Sequence, residues 1–178
     1  MKSKTNLELK HYCSDFGKIR KGLKKLGAKK ESIKNQKDYF FNLPVLEGKT
    51  SPRLKLRIEK DSQLLVYYER PDFKKARGTP SEVGFYTVED KEFLPFLKKS
   101  LGVKAIVEKK REIWRKANTV FHLDIVKGVG KIFEIELQKT GKISPKDRMV
   151  FKNYQDKLLP YLGAIIKGSN VDLVKPVI

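Results

Sequence analysis

The sequence is poor in cysteine, in histidine and in long apolar runs, and each shortage excludes a class of protein. The single cysteine, Cys13, in 178 residues excludes an intrachain disulfide, so we expect a reducing, cytoplasmic setting. The two histidines form no cluster with zinc spacing, so carboxylates must hold any bound metal, which favours Mg²⁺ or Mn²⁺. No apolar run approaches the roughly 18 residues that span a bilayer. The charged start has no apolar segment behind it, so we also expect no secretion signal.

Acidic residues are scarce relative to basic ones, with 21 Asp and Glu against 40 Lys and Arg, a formal net charge of +19. Such an excess favours anionic partners: nucleic acid, acidic membrane, nucleotides or polyphosphate. A generally basic proteome would produce the same excess without a specific partner, so the charge alone does not choose among them. The 39% hydrophobic and 34% charged residues are typical of a globular chain, which we interpret as one domain, 1–178.

Three stretches have the apolar spacing and the end signals of helices. They run from Phe16 to Leu26, from Lys91 to Leu101, and onward from Ser144. Asp15, Asp90 and Ser144 are the expected N-cap residues. Pro145 suits the first helical position, whereas Pro95 predicts a shifted start or a kink in the second helix.

Eight short runs alternate between apolar and polar residues, which predicts an antiparallel sheet or barrel. They are Asn6–Cys13, Lys37–Phe41, Arg53–Ile58, Leu64–Arg70, Val83–Thr87, Ala105–Trp114, Val120–Val126 and Ile132–Gln138. Two long loops are expected, Asn42–Pro52 and Pro71–Pro80, the second with Lys74, Lys75 and Arg77. Each is either a lid or a tolerated insertion.

Charged side chains are sorted by kind along five of these strands, because successive residues point to opposite faces. Asn6, Glu8 and Lys10 oppose Leu7 and Leu9; Arg53, Lys55 and Arg57 oppose two leucines; Lys109 and Arg111 fall together; His122 and Asp124 oppose Leu123 and Ile125; Glu134 and Glu136 oppose Phe133, Ile135 and Leu137. For any one strand, an ordinary sheet with its charges in water is the simpler expectation. A solvated surface has no need for such sorting, whereas an interior that holds phosphate against cations, and metal ions against carboxylates, does.

We therefore predict an α+β fold: an antiparallel eight-stranded β-barrel with a polar, charged interior and with helices packed against its apolar outside. This inverts the usual small barrel, whose interior is filled by apolar side chains.

The same residues resemble the CYTH superfamily, also called triphosphate tunnel metalloenzymes, whose motifs appear in order over nearly the whole chain. Asn6-Leu-Glu8-Leu-Lys10 resembles its E-x-E-x-K strand, Arg53-Leu-Lys55-Leu-Arg57 its basic strand, Val107-Glu-Lys109-Lys-Arg111 its V-x-K-x-R motif, and His122 to Glu136 its stretch ending in E-x-E. The nearest resemblance is to the class IV adenylyl cyclase-like group. Asn6 stands where the family has its first glutamate, and Asn170 where it has a C-terminal tyrosine.

The resemblance implies a role for each charged position. It implies that Glu8, Glu134 and Glu136, with Asp124 in support, bind Mg²⁺ or Mn²⁺, and that Lys10, Arg53, Lys55, Arg57, Lys109 and Arg111 hold a triphosphate. Glu8, Lys10, Glu134 and Glu136 are the expected catalytic set. His122 shares the inner face and is either a proton-transfer group or a structural histidine, while His11 falls on the outer face.

Three functions fit these residues. A cyclase converts ATP to cyclic AMP and pyrophosphate, and the nearest resemblance favours it. A triphosphatase hydrolyses inorganic, thiamine or nucleoside triphosphate. A non-catalytic polyanion or RNA binder is the rival from another class, with Lys18–Lys30 and Lys74–Arg77 as its footprint. The sequence leaves the oligomeric state open between monomer and homodimer.

Overall fold

The computed structural model describes residues 2–44, 50–71 and 80–177. These residues form strands β1 (Lys2–Tyr12), β2 (Lys29–Phe41), β3 (Thr50–Glu59), β4 (Ser62–Pro71), β5 (Pro80–Val88), β6 (Val103–Lys116), β7 (Thr119–Val126), β8 (Gly130–Lys139) and β9 (Ile165–Ile166). They also form helices α1 (Phe16–Lys25), α2 (Phe93–Leu101) and α3 (Pro145–Leu158). Lys74, Lys75 and Arg77 of the second expected loop lie outside the described residues.

The first eight strands close into an antiparallel barrel, which confirms the predicted fold class. The strand order is β5-β4-β3-β2-β6-β7-β8-β1, and β1 also pairs with β5, from Lys2 opposite Phe85 to Leu7 opposite Pro80. The two-residue strand β9 adds to the free part of β1. It is too short to show a periodic pattern, and the sequence analysis missed it.

The apolar strand faces lie outside the barrel and are buried by the helices. Helices α1 and α3 cover one cluster, which includes Leu7, Leu137 and Phe133 from the strands and Leu23 and Leu158 from the helices. All five side chains are at most 1% exposed. Helix α2 covers a second cluster on the outer faces of β2, β3 and β4. Most of the apolar burial is therefore outside the barrel, as the alternation predicts.

The helix ends show which sequence signals hold. The carboxylate of Asp15 accepts hydrogen bonds from the amides of Gly17 and Lys18, and Ser144 with Asp147 forms a capping box. Helix α2 begins at Phe93 rather than at Lys91, and its N-cap is Glu92 rather than Asp90. Pro95 then falls in the first turn, where its missing N–H leaves no intrahelical bond unmade, so the helix start is shifted.

All eight predicted strands begin before their predicted first residue, β1 at Lys2 instead of Asn6 and β5 at Pro80 instead of Val83 among them. Strand β2 begins at Lys29, eight residues before the predicted Lys37, because residues 29–36 are almost all polar and mostly exposed and show no apolar alternation. Residues 50–52, predicted as loop, pair with β4 as the start of β3. Residues 45–49 of that expected loop lie outside the described part of the chain.

One end of the barrel interior is apolar. Phe40, Ala105, Val107, Val126 and Ile132 form a buried cluster there with Ile166 and Val171 of the C-terminal segment. The charged side chains lie in the rest of the interior, together with an apolar strip from β4 and β5. No helix within the described ranges has the length and apolar character needed to cross a bilayer.

Candidate active site

A cavity of about 300 Å³ lies inside the barrel. Its wall includes ten charged side chains: Lys4, Glu8, Lys10, Asp38, Lys55, Arg57, Lys109, Arg111, Glu134 and Glu136. Eight of these ten were singled out from the sequence; the other two are Lys4 and Asp38. The volume is at the lower end of the range of small-molecule pockets, about 300–1,000 Å³. The structure thus brings most of the predicted site residues to the wall of one small cavity.

The basic side of the cavity is organised around Asp38, which is 1% exposed. Its carboxylate accepts hydrogen bonds from Lys55 Nζ at 2.7 Å and from Arg57 Nε and Nη2 at 2.7 and 2.9 Å. The ammonium of Lys109 lies 3.8 Å away. Burial would raise the pKa of Asp38, but the charges of Lys55, Arg57 and Lys109 outweigh it and hold that pKa well below its ordinary value of 3.8.

Two lysines on this side, Lys55 and Lys109, have lowered pKa values. Burial lowers the pKa of Lys55 from 10.5 to about 7, with Arg57 adding to the effect and Asp38 opposing it. Burial and the charge of Arg111 lower the pKa of Lys109 to about 8. A bound polyanion would favour the charged form of both groups. We therefore expect this wall to take up protons when it binds a polyanion.

Arg111 and Asp124 form a buried two-bonded ion pair, with hydrogen bonds of 2.7 and 2.5 Å. Burial acts to raise the pKa of Asp124, but Arg111 and Lys109 outweigh it and lower that pKa. The same Asp124 oxygen that accepts from Arg111 Nη2 lies 3.7 Å from Lys109. Asp124 therefore orients the two cations in this structure, while its support of a metal stays a prediction.

The acidic side of the cavity is built on the pairing of β1 with β8, which places Glu8 opposite Glu136 and Lys10 opposite Glu134. Lys10 donates to Glu8 at 2.8 Å and lies 3.5 Å from Glu134 Oε2. Burial acts to raise the pKa of Glu134, but the charges of Lys10 and Arg111 hold it well below its ordinary value. This carboxylate is therefore charged at neutral pH although it is buried.

His122 of β7 lies behind this side, directly opposite Glu134 in the β7–β8 register, and is not among the side chains that line the cavity. Its Nδ1 is buried and has no hydrogen-bond partner within the described ranges; it lies 3.7 Å from Glu134 Oε1 and 3.8 Å from Glu136 Oε2. Ligand atoms of these three residues all lie within 4.8 Å of one another. Two anionic carboxylates and an orphaned imidazole nitrogen fit a divalent cation, so the chemistry of the donors suits the metal that the sequence predicts.

The cavity wall formed by β4 and β5 is apolar instead of charged. Leu64, Val66, Val83 and Phe85 line it, and Phe40 of β2 and Tyr68 extend it. Phe85 lies directly opposite Val66 in the register of the two strands. The cavity therefore has a charged part, suited to phosphates and metal, and an apolar part, suited to an organic group.

Arg53 is the predicted phosphate ligand that the structure places elsewhere. It pairs with Asp172 of the C-terminal segment at 3.0 Å and is not among the side chains that line the cavity. Its role in holding phosphate stays a prediction.

Sequence reasoning missed Asp38 and the C-terminal Ser169, whose Oγ lies 2.9 Å from Tyr68 Oη at the cavity wall. Asp38 could have been found, because Gln36, Asp38 and Phe40 alternate with the outward-facing Tyr39 and Phe41. Asn170, noted as a departure from the tyrosine of the family pattern, also lines the cavity, and its Oδ1 is buried without a hydrogen-bond partner in the described structure.

The basic residues of α1 that belong to the expected nucleic-acid footprint lie outside the barrel. Lys18, Lys21, Lys24 and Lys25 of α1 are exposed, and none of them lines the cavity. They form a solvated helix face that is separate from the charged interior.

Comparison with known proteins points to one family. The family model described as CYTH domain matches residues 4–152. A protein from Methanocaldococcus jannaschii, named "Putative adenylate cyclase MJ0240", is 32% identical over 168 residues, which cover 93% of this chain and 89% of that protein.

Solved structures share the fold. The PH1012 protein from Pyrococcus horikoshii superposes with a TM-score of 0.76 at 22% identity, over 96% of this chain and 99% of that one. HpAC1 from Hippeastrum, an adenylyl cyclase by name that is described as having a dominant triphosphatase activity, superposes with a TM-score of 0.61 at 14% identity, over 95% and 93% of the two chains.

Proposed function

The chain belongs to the CYTH domain family, and from that membership we propose that it is a metal-dependent enzyme acting on a triphosphate inside its barrel. One observation carries the proposal: a basic cluster around Asp38 and an acidic cluster around Glu134 face the same small cavity. A triphosphate needs the first and its metal ion needs the second. The 32% identical relative with the name "Putative adenylate cyclase MJ0240" makes a class IV adenylyl cyclase-like reaction the preferred assignment.

The basic wall would hold the phosphates. Lys55, Arg57 and Lys109 gather on a single carboxylate in this structure, and the phosphate oxygens of a substrate can take the place of that carboxylate as their partner. Arginine grips a phosphate with two parallel hydrogen bonds, while a lysine ammonium follows it as a point charge. Arg111 links the two clusters, since it contacts Glu134 and shares Asp124 with Lys109. Lys10 belongs to the acidic cluster, where it contacts Glu8 and Glu134.

The acidic wall would hold Mg²⁺ or Mn²⁺, with Glu134 and Glu136 as central ligands and Glu8 beside them on β1. A divalent cation bound there would polarise the phosphoryl oxygens and stabilise the leaving oxygen. Beyond that, phosphoryl chemistry needs chiefly positioning and charge stabilisation, and the residues of the basic wall supply both.

The apolar wall favours an organic triphosphate. Leu64, Val66 and Phe85 would remove a nucleoside's base from water, whereas inorganic triphosphate presents nothing apolar to them. This is the structural reason to prefer ATP, with cyclic AMP and pyrophosphate as products, over inorganic triphosphate.

Hydrolysis is the second candidate, because the same side chains can hold a triphosphate for attack at phosphorus by water instead of by a ribose hydroxyl. The description of HpAC1, a protein of this fold with a dominant triphosphatase activity, supports keeping it. Thiamine triphosphate and nucleoside triphosphates would both use the apolar wall. A non-catalytic polyanion or RNA binder is the third candidate and relies on the exposed lysines of α1.

One assay separates the three. Purified protein is incubated with ATP, thiamine triphosphate and tripolyphosphate, each with Mg²⁺ or Mn²⁺, and the products are identified by chromatography. Cyclic AMP with pyrophosphate supports the cyclase, and released orthophosphate supports the triphosphatase. No turnover of any of the three, together with salt-dependent RNA binding, would overturn the enzyme proposal.

A further inference from the structure

Two carboxylates of the acidic wall each present one oxygen to the same imidazole nitrogen. Glu134 Oε1 lies 3.7 Å and Glu136 Oε2 lies 3.8 Å from His122 Nδ1. Both distances exceed the roughly 3.2 Å limit of a good hydrogen bond. The nitrogen is buried and has no hydrogen-bond partner among the described residues. His122 itself is only 5% exposed, so water does not solvate it.

The other oxygen of each carboxylate is already held. Asn6 Nδ2 and Gln138 Nε2 donate to Glu136 Oε1 at 2.8 and 2.7 Å. Glu134 Oε2 faces Lys10 and Arg111, at 3.5 and 3.3 Å. Donors that grip one oxygen of a carboxylate fix the direction of the other, which is how the surroundings of a metal site orient its ligands.

We propose that His122 Nδ1 is a ligand of the cation that the tunnel binds, together with Glu134 Oε1 and Glu136 Oε2. The inference rests on the proposed function and extends it: the site has mixed imidazole and carboxylate ligands instead of carboxylates alone. Metal bonds of about 2.0–2.2 Å place neighbouring ligand atoms about 3–4 Å apart, and both nitrogen-to-oxygen distances fall in that range. One ring nitrogen of His122 and one oxygen of each carboxylate lie within 4.8 Å of one another, so small side-chain rotations suffice to close the site.

The position of Asn6 fits the same arrangement. Its amide donates to Glu136, a bond that a charged glutamate there could not make, and a glutamate would add a fourth carboxylate to Glu8, Glu134 and Glu136. The asparagine therefore orients one carboxylate ligand of the proposed site.

An imidazole ligand changes which ion the site prefers. Carboxylate and water oxygens suit Mg²⁺, whereas a nitrogen ligand improves binding of first-row transition ions. We expect Mn²⁺ to bind more tightly than Mg²⁺, and we expect that preference to depend on His122.

The decisive experiment uses the wild-type chain and Mn²⁺ alone, without a phosphate ligand. Protein grown with ¹⁵N-labelled histidine and unlabelled protein are loaded with Mn²⁺, and pulsed electron paramagnetic resonance records nitrogen couplings to the ion. Histidine labelling excludes the nitrogen of Lys10. The chain has two histidines, and His11→Gln is the matched control, because His11 lies on the outer face with its Nδ1 on Gly163 O at 2.9 Å.

The expected result is a nitrogen coupling that changes from the ¹⁴N to the ¹⁵N pattern on labelling, persists in His11→Gln and disappears in His122→Gln. The Mn²⁺ dissociation constant should rise by about tenfold or more in His122→Gln, with a smaller change for Mg²⁺. Bound Mn²⁺ without a histidine nitrogen coupling in the wild-type protein overturns the inference, and this readout needs no folded variant. Turnover plays no part in it, so an inactive protein that shows the coupling would refute the proposed function and leave the inference standing.

Discussion

Asp38 and Arg57 form a two-bonded ion pair in the basic wall of the cavity, with hydrogen bonds of 2.7 and 2.9 Å between the guanidinium and the carboxylate. Lys55 donates to the same carboxylate at 2.7 Å. One buried acid thus neutralises part of a cluster of cations in the absence of substrate. The arrangement keeps the cations in place and gives a polyanion a preformed partner.

Substitution of Asp38 by asparagine should destabilise the free protein and make it more dependent on ligand. Loss of one partner from a buried ion pair leaves uncompensated charge and lowers the free energy of unfolding by about 3–5 kcal/mol. Phosphate oxygens can restore the missing charge, so saturating tripolyphosphate should recover most of the loss. Urea unfolding with and without tripolyphosphate measures both quantities.

Glu108→Gln is the matched control, because Glu108 pairs with Lys37 and Lys127 at the surface, with 39% of its side chain exposed. Such exposed pairs contribute about 0–1 kcal/mol. Equal destabilisation in the two variants, or a ligand effect that is the same in both, would contradict the role of Asp38.

Binding of tripolyphosphate should be accompanied by proton uptake at pH 8. The pKa of Lys55 is lowered to about 7 and that of Lys109 to about 8, so both are partly neutral there in the free protein. A bound polyanion favours the ammonium forms and raises both pKa values. Affinity should therefore weaken as the pH rises through 7 to 8, apart from the protonation of the ligand itself. Calorimetry in buffers of different ionisation enthalpy counts the protons.

Lys55→Arg isolates the contribution of the protein, because arginine stays charged across this pH range and the ionisation of the ligand cancels in the comparison. Proton uptake should fall in this variant. An unchanged number of protons would mean that Lys55 does not titrate at the binding site.

Glu134→Gln should abolish metal-dependent turnover while the barrel stays folded. The amide keeps the shape of the side chain and removes the anionic ligand that faces His122. The loss should exceed the roughly 10- to 100-fold effect of removing a partner outside the ligand set. Glu112→Gln is the control, since Glu112 is also buried but bonds Arg20 and Trp114 outside the barrel. Turnover that survives in Glu134→Gln at the level of the control would refute the assignment of the acidic wall.

The sequence predicts the faces of the strands well, because alternation is a property of each strand alone. Leu7 and Leu137 lie on the outside, and Glu8 and Glu136 lie on the inside, as their positions require. Long-range partners are harder to predict. The placement of Asp38 beneath Lys55 and Arg57 depends on the β2–β3 register, which the alternation within either strand does not fix.

The direct pairing of His122 with Glu134 shows the same limit within a hairpin. Both residues were assigned to the inner face, but the distance between them depends on how many residues the turn between β7 and β8 takes. Residues 127–129 form that turn, and Gly128 adopts a positive φ of 76°, a conformation that favours glycine. A sequence with glycines at 128 and 130 is compatible with turns of more than one length, so it did not predict the juxtaposition with Glu134 or that with Glu136.

Phe85→Ala should separate organic from inorganic triphosphates. Phe85 lies on the apolar wall opposite Val66, and an aromatic contact with a base contributes about 1–3 kcal/mol. The KM for ATP should rise by about tenfold, while binding of tripolyphosphate should not change. Tyr86→Ala is the control, because the next residue points outward and is 65% exposed. Equal effects of Phe85→Ala on ATP and on tripolyphosphate would show that the apolar wall does not contact the base.

The inverted barrel predicts that stability and ligand binding depend on opposite faces of the same strand. Leu137 is fully buried under α1 and α3, and its neighbour Gln138 points into the cavity, where it donates to Glu136. Leu137→Ala should lower the free energy of unfolding by about 2–5 kcal/mol, since it leaves a void in the outer core. The affinity for tripolyphosphate, measured where the variant is still folded, should be unchanged.

Gln138→Ala should have the reverse pattern. It removes one hydrogen bond at a half-buried position, with a net loss of about 0.5–1.5 kcal/mol, and it frees Glu136 to move, so metal affinity should fall. Urea unfolding and Mn²⁺ titration of both variants test the pair. In a barrel with an ordinary apolar interior, the inward-facing residue would contribute more to stability than its outward-facing neighbour. A larger loss of stability in Gln138→Ala than in Leu137→Ala would therefore contradict the inverted arrangement on which the whole site depends.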